Sequence, residues 1–131
     1  MIYVGKLDKE KLGRYKNKLK TNKVILTEER YNHIIEKHEK EYLQVRPFFK
    51  EIIYNPDYIL NDNRHENTII LLKNIKQINK DARIVIKLAL KNEQIFNKNS
   101  IITLMRLNTR TWQQTIQNRG NILYESMDKP E

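Results

Sequence analysis

The chain has 131 residues, contains no cysteine and carries a formal net charge of +9 at pH 7. This length predicts one domain over residues 1–131, and the absence of cysteine excludes disulfides and thiolate chemistry. No apolar run approaches the roughly 20 residues of a membrane span, and the first residues show no signal-peptide pattern. We therefore expect a cytoplasmic protein with no membrane partner.

The positive charge is concentrated in two segments. Residues 1–23 contain eight basic and two acidic residues, and residues 73–119 contain ten basic and two acidic residues. The segment between them is mildly acidic. Two basic segments favour contact with a polyanion such as a nucleic acid, although a lysine-rich sequence also arises where lysines serve only to hydrate the surface.

The first half of the sequence is mainly helical in pattern. Thr27 followed by two glutamates is typical of a helix start, so we predict a helix from Thr27 to about Lys40 or Tyr42. The other predicted elements are a short basic helix over 7–19, a strand over 23–26, and a helix over 47–54 that Asn55-Pro56-Asp57 ends.

From residue 58 onward the pattern becomes strand-like. Runs rich in β-branched residues alternate with short polar turns over 58–62, 68–75, 82–90 and 100–107, which predicts an antiparallel meander. A late helix is predicted over 108–120, begun by Asn108 or Thr109 and ended by Gly120, followed by an optional final strand. Helices followed by a meander predict an α+β domain with the helices on one face of the sheet.

Two of the three histidines, His33 and His38, lie on the predicted helix that begins at Thr27. They are five residues apart, so on a regular helix they point about 140° away from each other and cannot grip one metal ion together. The apolar stripe of this helix includes His38, which predicts an inward His38 and an outward His33. His38 is then either a satisfied core residue or a proton-transfer catalyst, and the spacing leaves both readings open.

The basic strand over 82–90 presents Arg83 and Lys87 on one face. Two cations without an obvious carboxylate partner favour a phosphate ligand, although a solvated outer sheet face explains them equally well. In the next strand, Ser100 and Thr103 point to opposite faces unless a bulge intervenes. We therefore expect at most one of these hydroxyls to line the same site.

The segments KVILTEERYNHIIEKH, EIIYNPDYILND, NSIITLMRL and TWQQTIQNRGNILY, in this order, resemble the phage-associated branch of the BECR-fold ribonucleases. That fold is named after barnase, EndoU, colicin nucleases and RelE, and the resemblance covers about residues 2–126. It implies N-terminal helices packed on a four-stranded antiparallel sheet, and RNA cleavage without a metal or another cofactor. In that reaction a base takes the 2′-hydroxyl proton and the oxygen attacks the adjacent phosphorus. The products are a 2′,3′-cyclic phosphate and a 5′-hydroxyl.

The resemblance also implies site residues. His38 and His33 match the family's helix histidines, and Ser100 and Thr103 match its terminal-strand hydroxyls. From strand alternation we add Arg83 and Lys87 as cations for the transition state. Since only one of the two helix histidines can face the sheet on a regular helix, Lys87 or His65 is a substitute proton-transfer group, although His65 is explained more simply as a turn residue. The residues predicted to bind RNA are Lys73, Arg106 and Arg110.

Three classes of function follow from these patterns. The leading hypothesis is a ribonuclease that acts as a toxin or effector of a phage or mobile element. The alternatives are a non-catalytic nucleic-acid-binding module and a structural or interaction module of a phage particle. A ribonuclease kept in a cell also needs an inhibitor, most simply an acidic protein that covers the basic face.

Overall fold

The computed structural model describes residues 1–117 and 121–129. In this part of the chain one mixed sheet of seven strands carries helices on both faces. The helices are α1 (Glu28–Val45), α2 (Phe49–Tyr54) and α3 (Thr109–Gln117). The strands are β1 (Ile2–Lys6), β2 (Lys23–Leu26), β3 (Tyr58–Asn61), β4 (Thr68–Ile75), β5 (Lys80–Lys87), β6 (Asn99–Leu107) and β7 (Ile122–Glu125). Gly120, the predicted end of the late helix, lies outside the described residues.

The strands follow the spatial order β1-β2-β6-β5-β4-β3-β7. The meander of β3 to β6 is antiparallel as predicted, and the late helix and the final strand are confirmed. The expectation of four strands was wrong, because each edge of the meander recruits more strands. The β1–β2 hairpin joins one edge through a parallel pairing of β2 with β6, and β7 pairs with β3 at the other edge.

The expectation that the helices share one face of the sheet was also wrong. Helices α1 and α2 pack on one face, whereas Trp112 and Ile116 of α3 pack on the opposite face. There the Trp112 ring meets the Tyr58 ring edge-on, with centroids 5.9 Å apart. Strands β3 and β4 are apolar on both faces, with Leu60 and Ile70 under α3, so both faces need a covering layer.

The N-terminal basic segment does not form the helix predicted over 7–19. It forms two short 3-10 turns, Lys9–Lys11 and Gly13–Tyr15. Gly13 has a φ of +55°, a left-handed conformation that a right-handed helix cannot include. The chain therefore breaks between the two turns.

Helix α1 begins where it was predicted to begin. The Thr27 hydroxyl accepts a hydrogen bond from the Arg30 N–H at 3.2 Å, which caps the first turn. The helix continues to Val45, beyond the predicted end, and its backbone is non-helical at His38 (φ −140°, ψ 38°). Its two halves therefore do not share one regular helical phase. No helix in the described part of the chain is both long enough and apolar enough to cross a membrane.

Asn99, the first residue of β6, is completely buried and joins three segments. Its Nδ2 donates to the carbonyl oxygens of Thr21 and Lys23, both at 2.9 Å, and its Oδ1 accepts from the Ala89 N–H at 2.8 Å. Strands β2 and β6 pair over only two residue pairs. The Asn99 amide therefore supplies much of the polar contact that ties β2 and the end of β5 to β6.

Asp57, just before β3, is a buried carboxylate that joins β3 to its neighbours. Its Oδ2 accepts from the Asn74 N–H at 2.7 Å, and its Oδ1 lies 3.8 Å from Lys73 Nζ. Its backbone N–H donates to the Leu72 carbonyl and its carbonyl accepts from the Ser126 N–H, both at 2.8 Å. Burial raises the pKa of Asp57, against the opposing effects of the Asn74 hydrogen bond and the Lys73 charge.

We expect Asn99→Ala to lower the free energy of unfolding by about 3 kcal/mol, because it removes the partners of three backbone groups at a buried joint. Denaturant unfolding followed by circular dichroism measures the change. The matched control is Asn97→Ala, an exposed asparagine two residues away, which should stay within about 0.5 kcal/mol of the wild type. Equal free energies of unfolding for the two variants would contradict this stabilising role of Asn99.

We expect the ionisation of Asp57 to cost stability. Because its folded pKa is raised above the ordinary value of 3.8, the native state binds this proton more tightly than the unfolded chain does. The stabilising effect of the bound proton is fully present below the unfolded pKa and is lost as the pH rises through the folded pKa.

In Asp57→Asn the amide oxygen keeps the acceptor for Asn74 but carries no charge. The free energy of unfolding of the wild type should therefore fall relative to that of the variant as the pH rises from about 4 to 7. Urea unfolding at several pH values gives this difference. If the wild type instead gains stability relative to the variant as the pH rises, the pKa of Asp57 is not raised in the folded protein.

Candidate active site

Strand β5 presents a polar patch on the face of the sheet that also carries α3. Arg83, Val85 and Lys87 point to this face, because the residues between them belong to the core under α1 and α2. The predicted alternation of this strand is confirmed. Arg83 and Lys87 therefore lie on the same side, separated by one buried valine.

A β-bulge in β6 brings two hydroxyl residues to the same face. Thr103 lies opposite Val85 and Ser100 lies opposite Lys87, with the register shift between these two pairs. Residues directly opposite one another on paired strands share a face. Ser100 and Thr103 were expected on opposite faces unless a bulge intervenes, and the bulge in β6 is the reason that they share one face.

A pocket of about 630 Å³ lies over this patch, and we call it the sheet pocket. It is lined by Arg83, Lys87 and Thr103 from the strands, by the turn between β3 and β4, and by Arg30 from the first turn of α1. The structure thus brings together three of the predicted site residues. Ser100 is half-buried on the same face but does not line the pocket.

The turn between β3 and β4 carries His65 to the sheet pocket. The Asp62 N–H donates to the Thr68 carbonyl at 2.9 Å, and Asn67 takes a left-handed φ of 55° that asparagine tolerates. Asp62 Oδ1 accepts from the Arg64 N–H at 2.9 Å, and Asp62 Oδ2 lies 3.1 Å from His65 Nδ1. The His65 side chain is 71% exposed. Asp62 therefore orients the ring through Nδ1 and leaves Nε2 available to a substrate.

The charges of the sheet pocket are arranged to receive an anion. Burial lowers the pKa of Arg83, Asp62 opposes this effect, and the like charge of Arg64 adds to it. Within the described residues no carboxylate lies within ion-pair distance of Arg83, and its Nη1 contacts Met105 Sδ at 3.9 Å. A partly desolvated, unpaired guanidinium gains from a bound phosphate.

Asp62 stays ionised beside these cations. Burial acts to raise the pKa of Asp62, but the hydrogen bonds from the Arg64 N–H and from His65, with the charges of His65 and Arg83, outweigh burial and lower the pKa. A carboxylate in this state accepts a hydrogen bond from the imidazole Nδ1–H, which leaves Nε2 as the ring nitrogen that can take a proton. The pair is thus suited to proton transfer at Nε2.

Lys87 lies at the end of β5, where β5 meets the loop that follows it. Its Nζ donates to the Glu66 carbonyl at 2.7 Å and lies 5.5 Å from the centre of the Phe96 ring. The first contact holds the ammonium next to the turn that carries His65. Lys87 therefore keeps a defined position without a carboxylate partner among the described residues.

A second pocket of about 400 Å³ adjoins the first. It shares Asp62, Arg64, His65 and Arg83 with the sheet pocket and continues to Thr115 of α3. The two pockets share these four residues, and together we call them the groove around the His65 turn.

The helix histidines lie outside this groove. His33 is exposed, as predicted, and His38 is half-buried, with its Nδ1 3.9 Å from Glu41 Oε2. Glu41 Oε1 lies 3.7 Å from Arg106 Nη2, so these three residues form a polar chain where α1 packs on β6. None of them lines the sheet pocket.

The residues predicted to bind RNA are dispersed. Lys73 is on the opposite face of the sheet, where its Nζ donates to the Asn55 carbonyl at 2.9 Å. Arg106 faces Glu41, and Arg110 is exposed in the first turn of α3. Their role in RNA binding stays a prediction.

Sequence reasoning missed Arg30, Asp62 and Arg64, and it regarded His65 mainly as a turn residue. The available signal was the aspartate three positions before the histidine in a charged hairpin turn, since Asp62 can fold back onto its own turn. Among the described residues no group of three or more metal-ligating side chains is assembled.

Comparison with known proteins identifies the family. The family model of PBECR2, described as phage-Barnase-EndoU-ColicinE5/D-RelE like nuclease2, matches residues 4–125. No curated protein and no solved structure shows a significant match to the chain. Because the family match covers nearly the whole chain, the protein belongs to the phage-Barnase-EndoU-ColicinE5/D-RelE like nuclease2 family.

Proposed function

We propose that this protein is a metal-independent endoribonuclease and that the sheet pocket is its active site. The observation that carries the proposal is the clustering of Arg83, Lys87 and Thr103 with the Asp62–His65 pair around one pocket. Membership of a nuclease family indicates nuclease activity. The choice of RNA and of the cyclic-phosphate route is our inference from the resemblance and from the chemistry of these side chains.

In the proposed reaction, His65 Nε2 takes the proton of the 2′-hydroxyl while Nδ1 remains hydrogen-bonded to Asp62. The 2′-oxygen forms a bond to the adjacent phosphorus, and the bond from phosphorus to the 5′-oxygen breaks. The departing 5′-oxygen takes a proton from solvent, to which the His65 turn is open. The products are a 2′,3′-cyclic phosphate and a 5′-hydroxyl.

The cations stabilise the charge that develops on phosphorus in this reaction. Arg83 and Lys87 are held in place before substrate arrives, by Met105 and by the Glu66 carbonyl. Donors that are already in place need little reorganisation when the transition state forms, and such groups therefore contribute strongly to catalysis. Thr103 adds a hydroxyl donor between them.

His38 and His33 are the alternative proton-transfer groups that the family resemblance implies. They lie on α1, away from the lining of the sheet pocket. We favour His65 because it is the histidine that shares a pocket with the two cations. Cleavage assays of single-histidine variants separate the two assignments.

In the cell we propose a role as a toxin or effector of a phage or mobile element. The net charge of +9 supports neutralisation by an acidic inhibitor protein that covers the groove.

We expect purified protein to cleave RNA in excess EDTA and to leave 2′,3′-cyclic phosphate ends. His65→Ala should lower kcat by about 10²- to 10⁴-fold, because it removes the general base. His33→Ala and His38→Ala are the matched controls and should retain activity. If a folded His33→Ala or His38→Ala variant is inactive while His65→Ala is active, the general base is a histidine of α1. Intact RNA with all proteins, together with salt-sensitive binding, would make the protein a non-catalytic RNA binder.

We expect Arg83→Met and Lys87→Met each to lower kcat by about 10²- to 10³-fold, since each removes a donor aimed at the developing phosphorane charge. Single-turnover cleavage at saturating protein measures this effect separately from RNA affinity. Lys80→Met, an exposed lysine at the other end of the same strand, is the control and should change the rate little. Variants that bind RNA more weakly but cleave bound RNA at the normal rate would limit the two cations to substrate binding.

A further inference from the structure

A further pocket, of about 400 Å³, is lined mainly by the segment between β1 and β2 together with Lys91 after β5, and we call it the lysine pocket. The lysines that line it are Lys6, Lys9, Lys16, Lys20 and Lys91. They come from both basic segments of the sequence, and two carboxylates, Asp8 and Glu10, lie among them. The pocket is separate from the groove that contains His65.

The carboxylates of the lysine pocket are already engaged. Glu10 pairs with Lys16, and Asp8 lies 3.7 Å from Lys11 Nζ and accepts from the Glu10 N–H at 3.2 Å. Among the described residues, Lys9 and Lys91 have no carboxylate within ion-pair distance. The pocket therefore keeps an excess of positive charge for an anionic ligand.

The loop over residues 91–98 physically connects the two pockets. The Lys91 N–H donates to the Lys18 carbonyl at 2.8 Å, and the Lys20 N–H donates to the Ala89 carbonyl at 3.0 Å. Lys20 Nζ, from the lysine pocket, donates to the Phe96 carbonyl at 2.8 Å. Lys87 and Lys91 are four residues apart, which limits their backbone separation to about 14 Å.

Phe96 lies between the two basic sites. The residue is 39% exposed, and Lys87 Nζ lies 5.5 Å from the centre of its ring. The neighbouring Ile95 is 82% exposed and has no such contact among the described residues. An exposed aromatic ring flanked by cations is the arrangement on which bases of a single strand stack while lysines track the backbone.

We propose that Phe96 is a base-stacking platform and that a single-stranded RNA extends from the sheet pocket across Phe96 into the lysine pocket. This proposal rests on the proposed function, because it takes RNA as the substrate. The proposal adds three features to the proposed function. The RNA is single-stranded, it leaves the sheet pocket across Phe96, and the lysine pocket binds further phosphates. A base paired in a duplex has its faces covered by its neighbours, so the platform selects unpaired RNA.

The test uses RNA that cannot be cleaved, so that binding is measured apart from catalysis. The probe is a 12-nucleotide RNA with 2′-O-methyl riboses, followed by fluorescence anisotropy. Phe96→Ala should weaken binding by about 5- to 150-fold, because stacking contributes roughly 1–3 kcal/mol per base, and Phe96→Trp should bind as the wild type does. Ile95→Ala is the matched control and should bind as the wild type does.

The lysine pocket is tested through the salt dependence of the same binding. The double variant Lys9→Ala/Lys91→Ala should reduce the slope of log K against log salt by about 1.4, since each lost phosphate contact on a single strand removes roughly 0.7. Lys37→Ala/Lys40→Ala, two exposed lysines of α1, is the control for lost net charge. A three-nucleotide probe too short to reach the lysine pocket should be insensitive to the Lys9/Lys91 change.

The two proposals fail in different ways. Absence of cleavage, with Phe96-dependent binding intact, refutes the proposed reaction and leaves the RNA path standing. Normal cleavage with equal binding by Phe96→Ala and the wild type overturns the stacking platform. Binding of an equally long RNA duplex with the same affinity and the same Phe96 dependence also overturns it. A wild-type protein that neither binds nor cleaves RNA overturns both.

Discussion

The carboxamide of Asn99 is the contact on which the arrangement of this sheet depends. It satisfies backbone groups of Thr21, Lys23 and Ala89 at a completely buried point where a parallel strand pair meets an antiparallel one. Unpaired polar groups at that depth are costly, so the segments that carry them stay together. This joint sets the β1–β2 hairpin beside the meander and places the Lys18–Lys20 segment next to the end of β5. Both basic segments of the sequence thereby meet at one end of the sheet.

The two faces of the sheet differ in polarity. The face under α1 and α2 is a continuous apolar core. The face under α3 is apolar over β3 and β4 and at Val85 and Leu107, and it is polar where β5 and β6 present Arg83, Lys87 and Thr103. The bulge in β6 contributes to this difference, because the extra residue lets Thr103 and Ser100 share the polar face while Ile101 stays in the core.

The sequence predicted those features that depend on local periodicity. The meander, the Thr27 cap, the late helix and the shared face of Arg83 and Lys87 all follow from residues close together in the chain. It did not predict β1, whose short IYVGK run contains a glycine and gains its partner only through the fold. His65 was ranked too low from the sequence for a related reason. A turn histidine has no periodicity, and its distance from Lys87 depends on how β4 and β5 pair.

The groups of the sheet pocket differ in the kind of backbone that holds them. Arg83 and Lys87 belong to a strand with paired neighbours on both sides, whereas His65 belongs to a hairpin turn whose backbone is largely at the surface. Surface turns accept substitutions and insertions far more readily than central strands do. Descendants of such a chain can therefore lose the His65 imidazole while retaining Arg83 and Lys87. Under the proposed reaction, one exchangeable loop separates a protein that cleaves RNA from one that only binds it.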